Sequence, residues 1–159
     1  MTPDCPTYFC YVTPVGHVTI ASDGQAITEL AFGARQLEGA EKPTELTNRA
    51  ANQIQEYFAG KRTAFDLPLA PRGTAFQQRV WEALRAIPYG ETRSFSQIAE
   101  AIGSPGAQRA VGKANNKNPI PIVIPCHRVV GANGKSGGCG GGLKVKEFLL
   151  SLERGRQAP

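Results

Sequence analysis

Two prolines and a glycine, Pro68, Pro71 and Gly73, interrupt the chain near its middle, and the hydrophobic pattern differs on their two sides. Proline does not sit inside a shared helix or central strand, so two small cores are expected in place of one continuous core. The boundary is placed at residue 71, giving units 1–71 and 72–159. Residues 8–13, 17–22 and 26–32 are rich in β-branched and aromatic residues, with Pro14-Val15-Gly16 and Ser22-Asp23-Gly24 as turns between them. A small antiparallel meander is expected there. From Thr47 and Asn48 to Phe58 the pattern becomes helical, and Gly60 is placed to end it.

The second unit reads as helices. Thr74 caps one whose apolar face is Phe76, Val80, Leu84 and Ile87, and Pro88-Tyr89-Gly90 stops it. Ser94 with Gln97 forms a capping box that opens another, its inner stripe being Ile98, Ala99 and Ile102. After the turn Gly103-Ser104-Pro105-Gly106, residues 107–116 carry Ala110, Val111 and Ala114 inward and Arg109, Lys113, Asn115 and Asn116 outward. Two short helices joined by a glycine-containing turn fit a helix-turn-helix, and equally a plain helical hairpin. The fold class is α/β in the α+β sense, a small sheet unit followed by a helical one.

Charge separates the same two halves. Residues 1–71 hold 5 Lys and Arg against 8 Asp and Glu, net −3, while residues 72–159 hold 13 against 5, net +8. A basic half on an acidic support is the pattern of a polyanion binder, or otherwise of a solvated surface. Nothing approaches the roughly 18 consecutive apolar residues of a membrane span, and there is no basic-then-apolar leader. A soluble, intracellular protein is expected, cytoplasmic or nucleoid-associated. The four cysteines, Cys5, Cys10, Cys126 and Cys139, lie at opposite ends without tight spacing, which argues against a disulfide framework. Cys5, Cys10 and His17 lack a fourth partner for a metal, and no metal is expected.

The chemistry concentrates late in the chain. Residues 120–125, bounded by prolines, read as a short buried strand that delivers Cys126, His127 and Arg128 at its end. A thiol of ordinary pKa, about 8.5, needs a neighbouring base or positive charge to act as a nucleophile at neutral pH, and His127 and Arg128 are candidates. Alternation along an extended chain points Cys126 and His127 to opposite sides, so a bridging water is the easier route between them. A structural thiol beside an interior histidine is the plainer reading. Residues 131–142 then hold seven glycines in twelve positions, suited to a pocket wall with exposed amide donors, or to a flexible linker. A last helix, residues 143–153, packs through Val145, Leu149 and Leu152 and ends on Glu153, a carboxylate that could orient His127 or stay solvated.

Pro125-Cys126-His127-Arg128-Val129 resembles the signature of the O6-alkylguanine-DNA alkyltransferases, also called methylated-DNA–protein-cysteine methyltransferases. The likeness continues through Phe76-Gln77, Val80-Trp81, Ile87-Pro88-Tyr89-Gly90, Arg109-Ala110-Val111-Gly112, Asn118-Pro119, the glycine loop and Leu149-Leu150-Ser151-Leu152-Glu153. It covers almost all of residues 73–154 in order. The resemblance implies an N-terminal ribonuclease H-like domain and a C-terminal winged helix-turn-helix domain that enters the minor groove of double-stranded DNA.

It implies, further, irreversible and stoichiometric transfer of an alkyl group from O6-alkylguanine, with O4-alkylthymine as a candidate second substrate, by a monomer that needs no cofactor and no obligate protein partner. Cys126 is then the alkyl acceptor, His127 a base acting through water, Glu153 the group orienting it, and Asn118 the brace of the active-site turn. Arg109 takes the place of the flipped-out base, with Phe95, Ala110, Gly112 and Lys113 beside it on DNA. The carbonyls of Cys126 and Val129 accept the guanine amine, the Gly140 amide donates to O6, and Pro121 walls the alkyl group. Base flipping is physically required, because O6 of a stacked, paired guanine cannot meet a protein thiol.

Two positions depart from the family pattern. Phe95 stands where a tyrosine is usual and cannot donate a hydrogen bond to the base, so slower transfer or poorer flipping is expected. Cys139 replaces a second tyrosine, which should widen the pocket. Both keep open a rival reading, a lesion binder that flips the base without reacting, although Cys126 argues against it. A winged-helix transcription regulator would need dimerisation and effector elements that the sequence does not offer.

Overall fold

The structure, a computed structural model, describes residues 5–131 and 142–157. The chain divides into two compact units, one ending at Arg72 and one beginning at Gly73.

In the first unit β1 (Thr7–Thr13), β2 (Gly16–Ser22) and β3 (Ile27–Phe32) form the expected antiparallel meander. A two-residue strand that the sequence did not reveal, β4 (Ala40–Glu41), pairs in parallel with β1, giving the order β3-β2-β1-β4. It is too short to carry a period, and its position depends on Gly39. That glycine has φ +103°, and a Cβ on it would lie 2.1 Å from the Pro6 carbonyl oxygen. Helix α1 (Glu45–Phe58) starts two residues before the expected Thr47, because Thr44 and Thr47 cap each other's backbone amides reciprocally. Its buried stripe, Ala50, Ile54 and Tyr57, packs over the sheet. The segment read as a connection is partly docked: the Ile27 amide donates to the Pro68 carbonyl and the Ala70 amide to the Ile27 carbonyl, both at 2.8 Å.

The second unit contains α2 (Ala75–Arg85), β5 (Arg93–Ser94), α3 (Phe95–Ala101), α4 (Gln108–Asn116), β6 (Val129–Val130) and α5 (Gly142–Gln157). The cap expected at Thr74 and the capping box expected at Ser94 are both formed, and Thr74 closes a box of its own with Gln77. Val80, Trp81, Leu84, Ile98, Ala99, Val111, Ala114 and Leu149 make its core, and the Trp81 indole N–H donates to the Ala114 carbonyl at 2.9 Å, fixing α4 to α2. Strands β5 and β6 pair in parallel, Arg93 with Val129 and Ser94 with Val130. This short ladder places the start of α3 beside the chain that has just passed Cys126. Among the described residues no helix is long and apolar enough to cross a membrane.

Three expectations are corrected. Residues 120–125 are not a strand but a compact turn, closed by the Ile124 amide donating to the Ile120 carbonyl at 2.9 Å. Pro119, Pro121 and Pro125 remove the amides a strand would offer, and among the described residues no strand pairs with this segment. On α4, Asn115 is fully buried and Ala110 exposed, the reverse of the polarity-based assignment. Finally, α5 runs to Gln157, so Glu153 lies inside it and not at its end.

Candidate active site

Asn118 builds the turn that precedes Cys126. Its side-chain oxygen accepts the Ile120 amide at 2.9 Å while its nitrogen donates to the Ile124 carbonyl at 2.8 Å, so one carboxamide holds both ends. Inside the clamp Ile122 adopts φ +75°, a left-handed conformation strongly disfavoured for a β-branched residue, with its side chain buried. Strain of about 1–3 kcal/mol at such a residue persists only where its surroundings dictate it. Cys126, His127 and Arg128 follow as one 3-10 turn, all three buried. Cys126 is therefore presented by a tight turn and not by a strand end, and strict alternation of side chains does not apply to it.

From the opposite side α5 supplies Glu153, whose carboxylate accepts four hydrogen bonds. His127 Nε2 donates to Oε2 at 2.7 Å, the Arg128 Nε and Nη2 groups donate to Oε1 and Oε2 at 2.9 Å each, and the Gly90 amide donates to Oε1 at 3.1 Å. A third guanidinium nitrogen, Nη1, donates to the Ile87 carbonyl at 2.7 Å, and the Arg128 group lies 5.7 Å from the centre of the Tyr89 ring. Burial pushes the Glu153 carboxyl up, but the hydrogen bonds and charges of His127 and Arg128 outweigh it and hold the group down at about 2. Burial also pulls His127 below its ordinary range; the hydrogen bond and charge of Glu153 offset this in part, while Arg128 and Lys146 add to it. At neutral pH the pair is a neutral imidazole donating to an ionised carboxylate.

The tautomer follows. With its proton on Nε2, His127 keeps the basic lone pair on Nδ1, which is buried and has no hydrogen-bond partner among the described residues. Arg128, which could have served as a positive charge for the thiol, is committed to Glu153 and Ile87 instead. Cys5 and Cys10, in the first unit, carry thiols.

Arg109, Lys113, Gly112 and Phe95 come together around a shallow depression of about 730 Å³ on the outer side of α3 and α4, with Ala110 exposed near Arg109. A Cβ on Gly112 would meet the Phe95 ring at an ordinary contact distance, 3.9 Å, so the two residues lie side by side here. Pro121 and Val129 are buried next to the Cys126 turn in sequence. Cys139 and Gly140 lie outside the described residues. Among the described residues no group of three His, Cys, Asp or Glu could hold a metal ion; Cys10 Sγ and His17 Nδ1 meet at 3.4 Å without a third partner of that kind.

Sequence reading missed Lys146. It is fully buried on α5, its ammonium donates to the Val129 carbonyl at 2.6 Å, and burial lowers its pKa to about 8. The missed signal was spacing: Lys146, Leu149, Leu150 and Glu153 form an i, i+3, i+4, i+7 stripe, all buried, with polar residues at both ends.

Comparison with known proteins agrees with this architecture. The profile of the 6-O-methylguanine DNA methyltransferase DNA-binding domain matches residues 75–155, and that of the ribonuclease-like domain of the same proteins matches residues 7–71. A methylated-DNA–protein-cysteine methyltransferase of Methanosarcina acetivorans is 48% identical, the match covering 92% of this chain and 97% of that protein. A constitutive one of Bacillus subtilis is 47% identical over 89% of this chain and 92% of its own length. The crystal structure of Mycobacterium tuberculosis OGT in complex with DNA superposes with a TM-score of 0.88 at 49% identity, covering 94% of each chain. With both domain profiles matched in order, this chain belongs to the 6-O-methylguanine DNA methyltransferase family.

Proposed function

We propose that this protein repairs DNA by taking the alkyl group of O6-alkylguanine irreversibly onto Cys126, one lesion per molecule. The observation that carries the assignment of roles is the His127–Glu153 pair, buried next to Cys126 in the chain and tautomerically fixed with its basic nitrogen unused. Through a water, His127 Nδ1 takes the Cys126 proton. The thiolate then attacks the alkyl carbon in line, forming the S–C bond as the C–O bond breaks, and the electron pair leaves on guanine O6. The proton held by His127 returns to the departing base. A thioether carries no good leaving group, so nothing regenerates the thiol.

The remaining assignments follow the same reading. Exposed on α4, Arg109 fills the space of the extruded base from the minor groove, while Lys113, Ala110 and Gly112 lie along the backbone and Phe95 faces the base. Carbonyl groups of Cys126 and Val129 receive the exocyclic amine, Gly140 donates to O6, and Pro121 and Cys139 bound the alkyl group. No cofactor or protein partner enters the reaction. The testing measurement is intact-protein mass after incubation of reduced protein with excess O6-methylguanine duplex, beside Cys126→Ser. One methylene gained per molecule, and none in the variant, is the expected result. Selective binding of the lesion duplex without any mass change would point to a non-reacting lesion binder.

A further inference from the structure

We propose that Arg128 is a positioning residue of the acceptor site: its guanidinium spans both oxygens of Glu153 and thereby keeps the His127 imidazole neutral, with Nδ1 open to the Cys126 proton. This rests on the reading of His127 as the base that serves Cys126.

Arg128 closes the same buried 3-10 turn that carries Cys126 and His127, so two consecutive residues of one turn meet one carboxylate of α5. His127 donates to Oε2 at 2.7 Å, while Nε and Nη2 of Arg128 donate to Oε1 and Oε2 at 2.9 Å each. The fork is held from its other side, where Nη1 donates to the Ile87 carbonyl at 2.7 Å and the Tyr89 ring lies against the group. Its aim at Glu153 is therefore set by the turn on one side and by residues 87–89 on the other.

A carboxylate alone in that position would disable the base. So close to an imidazole and away from water, its charge favours a second proton on the ring, and an imidazolium has no lone pair to offer. The carboxylate is no better a home for that proton: a protonated Glu153 would donate to Nε2 and move the ring's own proton to Nδ1. Either way, one extra proton on the pair closes Nδ1. Burial opposes that proton because it penalises a charged ring, and the hydrogen bond and charge of Glu153 pull the other way. The guanidinium offsets that pull, because arginine keeps its charge and here lies on the same two oxygens. Among the described residues the charged groups facing His127 are Glu153 and Lys146 of α5 and Arg128 of its own turn. Lys146, donating to the Val129 carbonyl, acts in the same sense as Arg128.

The test follows the His127 ring by nitrogen NMR in the free protein as pH is lowered, with the exposed His17 as internal control. In Arg128→Met the pH at which His127 gains its second proton should rise by about one unit or more. In Arg128→Lys, which keeps a charge but cannot span both oxygens, it should rise by less than about half as much. Single-turnover transfer at saturating O6-methylguanine duplex should follow, the acid limb of Arg128→Met moving up with the ring and the rate recovering as pH rises. An unmoved or lowered titration, or an equal rise in Arg128→Lys, would overturn the proposal, since loosened packing or entering water acts on both variants alike. So would a transfer rate lowered equally at every pH. If Arg128→Met does not fold, Glu153→Gln is compared with Glu153→Gln combined with Arg128→Met, where no carboxylate is left unpaired. Removing the guanidinium should again raise the His127 titration, and no rise would overturn the proposal. A wild-type protein that gains no methyl group removes the reading on which the proposal rests. A reactive wild type whose His127 titration is matched by Arg128→Met removes the role of Arg128 alone.

Discussion

Glu153 holds an ionised carboxylate in the interior of the second unit, where isolated charge is costly, and it is tolerable because four donors converge on it. Replacing it by glutamine leaves the Arg128 guanidinium buried without its counter-charge. The expected loss is about 3 kcal/mol of unfolding free energy at pH 7, read by urea denaturation. The acid limb tells the same story with a defined sign. A folded pKa of about 2 against an ordinary 4.5 means that the stabilisation is complete above pH 4.5 and is lost as pH falls towards 2, so wild type and Glu153→Gln should converge in stability across that window. His127 acts in the same direction, because its lowered pKa makes the unfolded chain bind the proton first as pH drops below 6.5. Transfer rates should therefore hold through pH 6.5 and fall only below it, where Nδ1 becomes protonated; an acid limb centred at or above 6.5 would contradict the neutral, Nε2-protonated imidazole. Phe95 lines the depression beside Arg109 with no hydroxyl to offer a base. Phe95→Tyr should raise the single-turnover rate by about fivefold, the worth of one such hydrogen bond, and an unchanged rate would remove the ring from the reaction.

Elements differed in how plainly the sequence announced them. Helices α2 and α3 were legible because reciprocal caps, Thr74 with Gln77 and Ser94 with Gln97, mark their first residues, and the meander because Gly16 and Gly24 punctuate it. The turn at residues 119–125 was not legible, since what holds it is the Asn118 side chain reaching across six residues to the Ile124 carbonyl, an arrangement without periodicity. Its apolar content looked like a strand; its prolines were the evidence against one. Asn115 was missed for a different reason, because a polar residue at i+4 spacing from a buried one was assigned to water by type and not by position, and Lys146 because the packing stripe of α5 was read from its apolar residues alone. The residues proposed for chemistry were visible as types in order along the chain, but the bidentate Arg128–Glu153 pair that fixes His127 was not, because 25 residues separate its members. From the turn's construction, Asn118→Ala should unlatch both ends and let Ile122 leave its left-handed conformation. About 2–3 kcal/mol of stability should be lost with the two buried hydrogen bonds, and alkyl uptake should slow at least tenfold. Urea denaturation and the mass assay give the two numbers, and a variant as fast as wild type would mean that the turn does not position the thiol.

For the molecule as a whole, the net −3 of residues 1–71 and +8 of residues 72–159 assign DNA affinity to one unit and its counterion release to a small set of exposed cations. Lys113 and Arg109 share the outer face of α4 yet are proposed for different work, one at the phosphates and one inside the stack, and salt separates them. Neutralising a phosphate contact lowers the slope of log affinity against log salt by about 0.9, whatever the sequence or damage of the duplex. Lys113→Gln should show that decrease on damaged and undamaged duplex alike while its rate at saturating duplex stays that of wild type. Arg109→Ala should instead slow saturated transfer by tenfold or more, because an extruded base that nothing replaces returns to a stack worth a few kcal/mol. The exposed Lys61 of the acidic unit is the control, and Lys61→Gln should leave both slope and rate unchanged. Fluorescence anisotropy across a salt series, paired with single-turnover mass measurements, reads all three variants. A slope that falls equally for Lys61→Gln would spread DNA contact over both units and remove the division of labour that the charge distribution implies.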